Sequence, residues 1–420
     1  MTALYKVHYF CTMRKVISLF SGCGGMDIGF EGNFYCLKKS VNAFIHPDWI
    51  KEDRGDYVLL APTGFDTIFA NDIREDAKLA WTNYFFDKKQ NASDIYHLAS
   101  IVDLVKQAKQ GESIFPSNAD IITGGFPCQD FSVAGKRQGF ESQKNHTGRK
   151  LEIGEPTIES RGQLYMWMRD VVSMVMPKMF IAENVKGLTN LADVKEIIEQ
   201  DFAKAANGGY IVVPARVLYA ADYGVPQSRS RVIFFGFRKN ALKKEALEAL
   251  SQDKIPAKYD PYPTQTHGIP NMPYMTCAEA FIDLEEPNAS NDPSQKKYSK
   301  AKYMGAHCQG QTEIKPDSIG PTIRSEHHGN IEYRRLSTEH GGKQITELAA
   351  GLEERRLSVR ECARIQTFPD DYEFILPKTT EHKSLSSSDA YKIIGNAVPC
   401  ILAYNIAKNL EKKWDSYFKE

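Results

Sequence analysis

The sequence lacks the devices that hold small or secreted chains together. Its 8 cysteines include no C-x-x-C pair and no Cys/His spacing of the metal-binding kind, which argues against zinc modules and disulfide scaffolds and suits a reduced, cytosolic setting. Neither sign of charge is in excess: 53 Lys plus Arg stand against 53 Asp plus Glu, so a polyanionic partner would have to be met by local basic surface. No apolar run approaches the roughly 18–20 residues that cross a bilayer. Residues 1–14 mix Lys6, His8 and Arg14 with aromatic residues and lack an apolar core. They read as an N-terminal extension, with Met13 an alternative start, and not as a signal peptide. There is no internal repeat, no low-complexity tract beyond Ser384 to Ser388, no G-x-G-x-x-G fingerprint and no phosphate-binding lysine loop. Those absences exclude a solenoid and disfavour a nucleotide site built on phosphates.

What is present is a chain of 420 residues, 42% hydrophobic and 25% charged, enough for a large core and two or three domains. Apolar, strand-like runs recur at 15–20, 67–70, 119–123, 179–182 and 232–236. Between them lie helical stripes, one from Tyr96 to Gln110 that stops at Gly111 and one from Leu191 to Phe202 that stops at Gly208-Gly209. This alternation predicts an α/β domain with a doubly wound, mostly parallel sheet. Two stretches break it. Asn33 to Phe65 is longer than a single helical connection needs, and its residues do not reveal its role. From about Phe237 to Glu354 periodicity fades while Pro, Gly, His and Tyr rise, which predicts an inserted, smaller domain rich in loops and short strands. The expected division is a catalytic and cofactor-binding domain over 15–236, the insertion over 237–354 and a return to the first domain over 355–420.

Each strand run ends in residues that can do chemistry, at the edge where such sheets bind ligands. Cys128 follows Thr123-Gly124-Gly125-Phe126-Pro127: a glycine pair turns the chain and a proline fixes the torsion just before the thiol, which is how a nucleophile is presented. A lone cysteine is more often structural, so its companions decide. The first run leads into Ser21-Gly22-Cys23-Gly24-Gly25, where a tight turn and a cofactor loop are equally good readings. Asp72, ending the second run, tips that balance, because a carboxylate there can accept both hydroxyls of a ribose. Without a phosphate loop, an adenosyl cofactor lacking phosphates is expected.

The ordered set Phe20-Ser21-Gly22-Cys23-Gly24-Gly25, Gly125-Phe126-Pro127-Cys128-Gln129, Glu183-Asn184-Val185, Gln227-Ser228-Arg229-Ser230-Arg231, Arg360-Glu361-Cys362-Ala363-Arg364-Ile365-Gln366-Thr367-Phe368-Pro369 and Gly395-Asn396-Ala397-Val398-Pro399 resembles the cytosine-5 DNA methyltransferase family of the bacterial restriction–modification type, over about residues 15 to 410. The resemblance implies a methyltransferase-type sheet carrying a target-recognition domain. It further implies S-adenosyl-L-methionine as cofactor with S-adenosyl-L-homocysteine as product, no metal, and double-stranded DNA as substrate. A monomer in the bacterial cytoplasm, paired in function with a restriction endonuclease and bound to no membrane, is expected.

Carbon 5 of cytosine is a poor nucleophile, so the ring must be activated by adding a soft thiolate at carbon 6, a role that falls to Cys128. Glu183 is expected at ring nitrogen 3. Arg229 and Arg231 alternate on an extended strand and so point the same way, one toward the cytosine carbonyl oxygen and the other toward the loop; Asn184 is expected to order the backbone around Pro127. For the cofactor, the resemblance implies Phe20 against adenine, the Ser21, Gly22, Cys23, Gly24 and Gly25 backbone along the methionine part, Asp72 on ribose and Ile73 over the other adenine face. Ser100, Ile101, Pro127, Leu164, Asn396 and Ala397 complete that set. Two departures stand out: family members often have an aromatic where Ile73 stands, and an adenine-reading aspartate where Ser100 aligns. DNA contacts are expected from Gln129, Ser132, Arg324, His327, His328 and Asn330, and the segment from Arg324 to Arg335 resembles readers of short GC-rich sites of the GGNCC or GGWCC kind. Arg355, Arg356, Arg360 and Arg364 are candidates for phosphates, with Arg360-Glu361 more readily a structural ion pair. The competing readings are a tRNA cytosine-5 methyltransferase, disfavoured by the long insertion, and a DNA-binding relative without turnover.

Overall fold

A computed structural model describes residues 13–127, 164–190, 193–325, 329–380 and 383–419. Seven strands form its main sheet: β1 (Arg14–Leu19), β2 (Phe65–Asp72), β3 (Tyr96–Leu98), β4 (Ile121–Gly124), β5 (Met179–Val185), β6 (Tyr210–Tyr219) and β7 (Ser230–Arg238), in the order β3-β2-β1-β4-β5-β7-β6. β7 runs antiparallel to β5 and β6, and the remaining pairs are parallel. Because the chain works outward from β1 in both directions, the strand order reverses beside it, and that is where a doubly wound sheet opens a crevice.

Successive side chains along a strand face opposite ways, and here both faces are buried. Val16, Ile121, Ile181, Ile233 and Phe235 enter one core, while Ile17, Ile122, Phe180, Val232 and Phe234 enter the other. The helices include α1 (Gly25–Glu31), α2 (Glu75–Phe85), α3 (Ile101–Lys109), α4 (Leu164–Val175), α5 (Val194–Ala203), α6 (Val359–Ile365), α7 (Ser387–Asn396) and α8 (Cys400–Tyr417). α1, α2 and α8 cover the first face, and α3, α4 and α5 the second. α1 can lie directly on α8 because Gly29 has no side chain: a Cβ there would stand 2.4 Å from the Cys400 carbonyl oxygen. No helix among the described residues is long and apolar enough to cross a membrane.

Three differences from the sequence-based expectation have physical causes. The stripe from Tyr96 is not one helix: residues 96–98 pair with Ala70–Asp72 as an edge strand, and the helix starts only after Ser100, whose hydroxyl accepts from the Val102 amide at 3.3 Å. Beyond β7, the chain stays on the sheet body, with the Lys243 amide donating to the Tyr417 carbonyl at 2.8 Å before a helix at Lys244–Leu250. From 268 to 354 the described residues are mostly loop, and only Tyr333–Arg335 forms a strand, paired with Arg355–Arg356. Buried arginine side chains bonded to main-chain carbonyls order this region in place of strand ladders.

The 33–65 stretch is a three-stranded antiparallel sheet (Tyr35–Leu37, Tyr57–Leu60 and Ile50–Arg54). It braces the body to the inserted region. Trp49 stands edge-on to Tyr404 of α8 at 5.3 Å, Asn42 donates to the Thr266 carbonyl at 2.8 Å, and the Tyr57 hydroxyl sits among Arg364, Asp283 and Asp370.

Candidate active site

The carboxyl ends of β1, β2, β4 and β5 and the start of β7 converge on one edge of the sheet, where a cleft of about 380 Å³ opens. Its floor is the turn after β1, in which alternate residues take positive φ: Phe20 at 53°, Gly22 at 55° and Gly24 at 81°. A non-glycine residue in that region is strained, and Phe20 is held there by its neighbours. The Ser21 amide donates to the Asn71 carbonyl at 2.8 Å, and its hydroxyl donates to the Ser18 carbonyl at 2.8 Å. From the far side, the Tyr96 and Tyr372 hydroxyls donate to the Gly22 and Cys23 carbonyls at 2.9 and 2.8 Å. Beneath lies Asp27, fully buried, accepting from the Ser18 hydroxyl at 2.6 Å and the Trp81 indole at 2.8 Å. Burial pushes its carboxyl pKa above the ordinary value. Gly24 must be glycine because a Cβ would meet the Trp81 ring at 2.6 Å.

Of the residues expected to hold a cofactor, Phe20, Ser21, Gly22, Asp72, Ile73, Ser100, Ile101, Pro127, Leu164, Asn396 and Ala397 line this cleft. Cys23, Gly24 and Gly25 do not. Cys23 is buried behind the turn with its thiol on the Ile393 carbonyl, and burial drives its pKa far up. Gly25 opens α1 against Val398, whose carbonyl oxygen would stand 2.3 Å from a Cβ. Asp72 accepts the Gly22 and Arg74 amides at 3.1 and 3.0 Å. Ser100 caps α3. Asp27 and Trp81 were not among the residues expected from sequence. The signal for the first was a carboxylate set within the apolar Met26 to Phe30; the second carried none.

Glu183, at the end of β5, and Arg231, at the start of β7, both line the cleft and form an ion pair at 2.7 Å, each nearly buried. Gly125 passes beside them, where a Cβ would come within 3.0 Å of the Glu183 carboxyl. Asn184 donates to the Phe126 carbonyl at 3.1 Å, fixing the backbone that leads to Pro127. Arg229 goes elsewhere than expected. It precedes β7 rather than sharing its alternation, is buried, and donates to the Ile323, Gly395 and Ala397 carbonyls at 3.0, 3.0 and 2.8 Å. It therefore ties the 320–325 segment to the wall of the cleft. Cys128, Gln129 and Ser132 lie outside the described residues, as do His327 and His328.

The remaining recognition candidates are engaged internally. Arg324 pairs with Glu332 at 2.6 Å and donates to the Asn330 carbonyl at 2.9 Å, while the Asn330 side chain accepts from Gln311. Arg355, Arg356, Arg360 and Arg364 are buried, which rules out a phosphate role for them. The expected Arg360–Glu361 pair is also replaced: Glu361 takes Arg355 through two bonds of 2.8 Å, and Arg360 takes Asp292. Neighbours on a helix point apart, whereas Arg355 enters from the preceding strand.

A family model for the C-5 cytosine-specific DNA methylase matches residues 14–412. The Type II methyltransferase M.BspRI of Lysinibacillus sphaericus is 33% identical over 428 residues, covering 99% of this chain and 85% of the relative. The Type II methyltransferase M.NgoPII of Neisseria gonorrhoeae is 31% identical over 411 residues, covering 95% of each. Among solved structures, the S. pombe Dnmt2 methyltransferase matches with a TM-score of 0.52 at 18% identity, over 95% of this chain and 98% of that one. The Entamoeba histolytica methyltransferase EhMeth gives 0.54 at 16%, over 96% and 98%. The structural likeness speaks for the fold, and the match along the sequence speaks for the family: the chain belongs to the C-5 cytosine-specific DNA methylases.

Proposed function

We propose that this protein methylates carbon 5 of cytosine within a short duplex DNA site, as the protective partner of a restriction endonuclease, and that it works as a cytoplasmic monomer. The observation that carries the reading is the Glu183–Arg231 pair, standing in the same cleft as Asp72 and beside Pro127, the residue before Cys128. The cleft suits S-adenosylmethionine: apolar walls at Phe20, Ile73 and Ile101 for adenine, a carboxylate at Asp72 for ribose, and open space above Gly22 for the amino-acid part. When bound, that cofactor supplies an electrophilic methyl group.

The protein's own residues do the rest. The target carbon is out of reach inside a duplex, so the base must be flipped out at a cost of a few kcal/mol, which contacts from the 237–354 region offset. Cys128 as thiolate adds to carbon 6 and pushes negative charge onto the ring. Glu183, oriented by Arg231, holds the proton at ring nitrogen 3 where that charge collects, and Arg231 faces the carbonyl oxygen. Asn184 fixes the approach of the Pro127–Cys128 backbone; once carbon 5 carries the methyl group, its proton passes to a base such as water, the 5,6 double bond re-forms and Cys128 leaves as thiolate.

Transfer of labelled methyl from S-adenosylmethionine to unmethylated plasmid, with bulk tRNA alongside, tests this. Label is expected in DNA as 5-methylcytosine, absent with Cys128→Ala and reduced about 10²- to 10⁴-fold with Glu183→Gln. Label in tRNA alone, or in neither substrate, overturns the reading.

A further inference from the structure

Charge is balanced over the whole chain, yet between Asp292 and Glu313 there is no carboxylate and there are four lysines, Lys296, Lys297, Lys300 and Lys302. All four are exposed, and the Lys300 ammonium rests 3.7 Å above the Tyr298 ring. Among the described residues none of them forms an ion pair, whereas Lys89, Lys195 and Lys408 on the sheet body each face a carboxylate. Like charges gathered this way repel one another, and no ion pair among the described residues offsets that repulsion. A partner that supplies negative charge would remove that cost.

The segment is fixed where such a partner would lie. Ser299 donates to the Gly329 carbonyl at 2.7 Å, and Arg356 donates to the Ala301 and Lys302 carbonyls at 2.9 and 3.2 Å. Gly329 lies so close that a Cβ there would stand 2.3 Å from the Ser299 hydroxyl. On the other side of the same recognition segment, the Arg324 backbone presses on Gly395, next to Asn396 in the cleft wall. The segment that carries the lysines is therefore tied, through Gly329, Asn330 and Arg324, to the rim of the active-site cleft. The buried arginines Arg355, Arg356, Arg360 and Arg364 cannot reach phosphates, so those contacts fall to other residues.

We propose that Lys296, Lys297, Lys300 and Lys302 are a phosphate-binding ridge that seats the backbone of duplex DNA on the recognition region, an inference that rests on reading duplex DNA as the substrate. Compact ammonium groups suit this task. They meet phosphates as point charges, displace counterions and read no sequence, leaving base recognition to neighbouring residues.

The test is the salt dependence of duplex binding for the full chain, with all four lysines changed to Gln, all four to Arg, and Lys239 and Lys244, which follow the end of β7 away from the cleft, changed to Gln as a control. The four-Gln protein is expected to show a slope of log affinity against log salt shallower by about 2 to 4, since each phosphate that a lysine neutralises adds about 0.9 to it. Its KM for DNA should rise with kcat at saturating DNA unchanged, while the four-Arg protein and the control keep the original slope. Thermal unfolding at the original midpoint excludes a folding defect. An unchanged slope in the four-Gln protein overturns the ridge, even where the protein still methylates DNA and the functional reading stands. A shallower slope in a protein that methylates no DNA supports the ridge as a DNA-binding surface and overturns the functional reading instead.

Discussion

In the proposed cofactor site, Asp72 couples backbone order to cofactor affinity. A carboxylate offers about four lone-pair sites; the Gly22 and Arg74 amides occupy two, one on each oxygen. Two remain for the adjacent hydroxyls of a ribose. Burial pushes the Asp72 pKa up, opposed by those two amides, the Arg74 charge and the Ile73 amide, and the net shift is upward. The anion is the form that accepts both hydroxyls, so affinity is complete above the raised pKa and is lost as pH falls through it. S-adenosylhomocysteine binding followed by calorimetry should therefore weaken on acidification from a pH above the ordinary carboxylate range, and Asp72→Asn should flatten that profile. Asp72→Ala should weaken binding about 10- to 100-fold at neutral pH, the worth of hydrogen bonds to a charged group. The place of Asp72 in the cleft was legible in the sequence because Asp72 ends an apolar run, and a strand end in such a sheet is where a ligand sits. The Asp27–Trp81 support was not, since its partners are 54 residues apart and share no local pattern.

At the scale of elements, what decides is how closely α7 approaches the recognition segment. Gly395 lies in the last turn of α7, and a Cβ there would stand 2.1 Å from the Arg324 carbonyl carbon. In an exposed helix, Gly→Ala stabilises by up to about 1 kcal/mol. Here the added methyl must displace backbone that Arg229 fixes through Ile323, Gly395 and Ala397, and overpacking of this kind costs about 1–3 kcal/mol. The clash outweighs the propensity. Gly395→Ala should lower the thermal midpoint and weaken cofactor binding through Asn396 and Ala397, whereas Gly351→Ala, at φ 85° with nothing near its Cβ, should leave cofactor binding unchanged. The strands were legible because buried runs of this kind have few other places to go. The helical stripe from Tyr96 misled because three strand residues followed by a capped helix place their apolar positions much as one long helix does. The destination of Arg229 was hidden because its carbonyl partners lie 94 to 168 residues away.

Across the whole molecule, the inserted region is joined to the sheet body by a seam of buried charge. Arg335 and Arg355 are 0% and 5% exposed, and both meet Glu286, at 2.7 and 2.8 Å; Arg335 also takes Glu347, and Arg355 takes Glu361. Arg364 extends the seam to Asp283, Asp370 and the Tyr57 hydroxyl of the 33–65 sheet. A buried ion pair contributes little net stability, but removing one partner leaves an uncompensated charge and costs about 3–5 kcal/mol. Burial acts to raise the Glu286 pKa; Arg355 and Arg335 outweigh it and hold the carboxyl at about 2, against an ordinary 4.5. A folded-state pKa lowered in this way contributes stability that is present above about 4.5 and is lost as the pH falls toward 2. Asp283 is shifted downward by Arg364 in the same sense. Two guanidinium groups would then face a neutral acid in a largely buried interface, and the inserted region, ordered by arginines rather than by a core of its own, should release before the doubly packed sheet. Calorimetry is expected to show one unfolding transition at neutral pH and two near pH 3, the lower abolishing DNA binding while cofactor binding persists. Glu286→Gln should show the divided transition already at neutral pH and lose less stability between pH 4.5 and 2 than the original protein, with Asp283 still contributing. Parallel stability profiles for the two proteins would show that the seam does not hold the regions together.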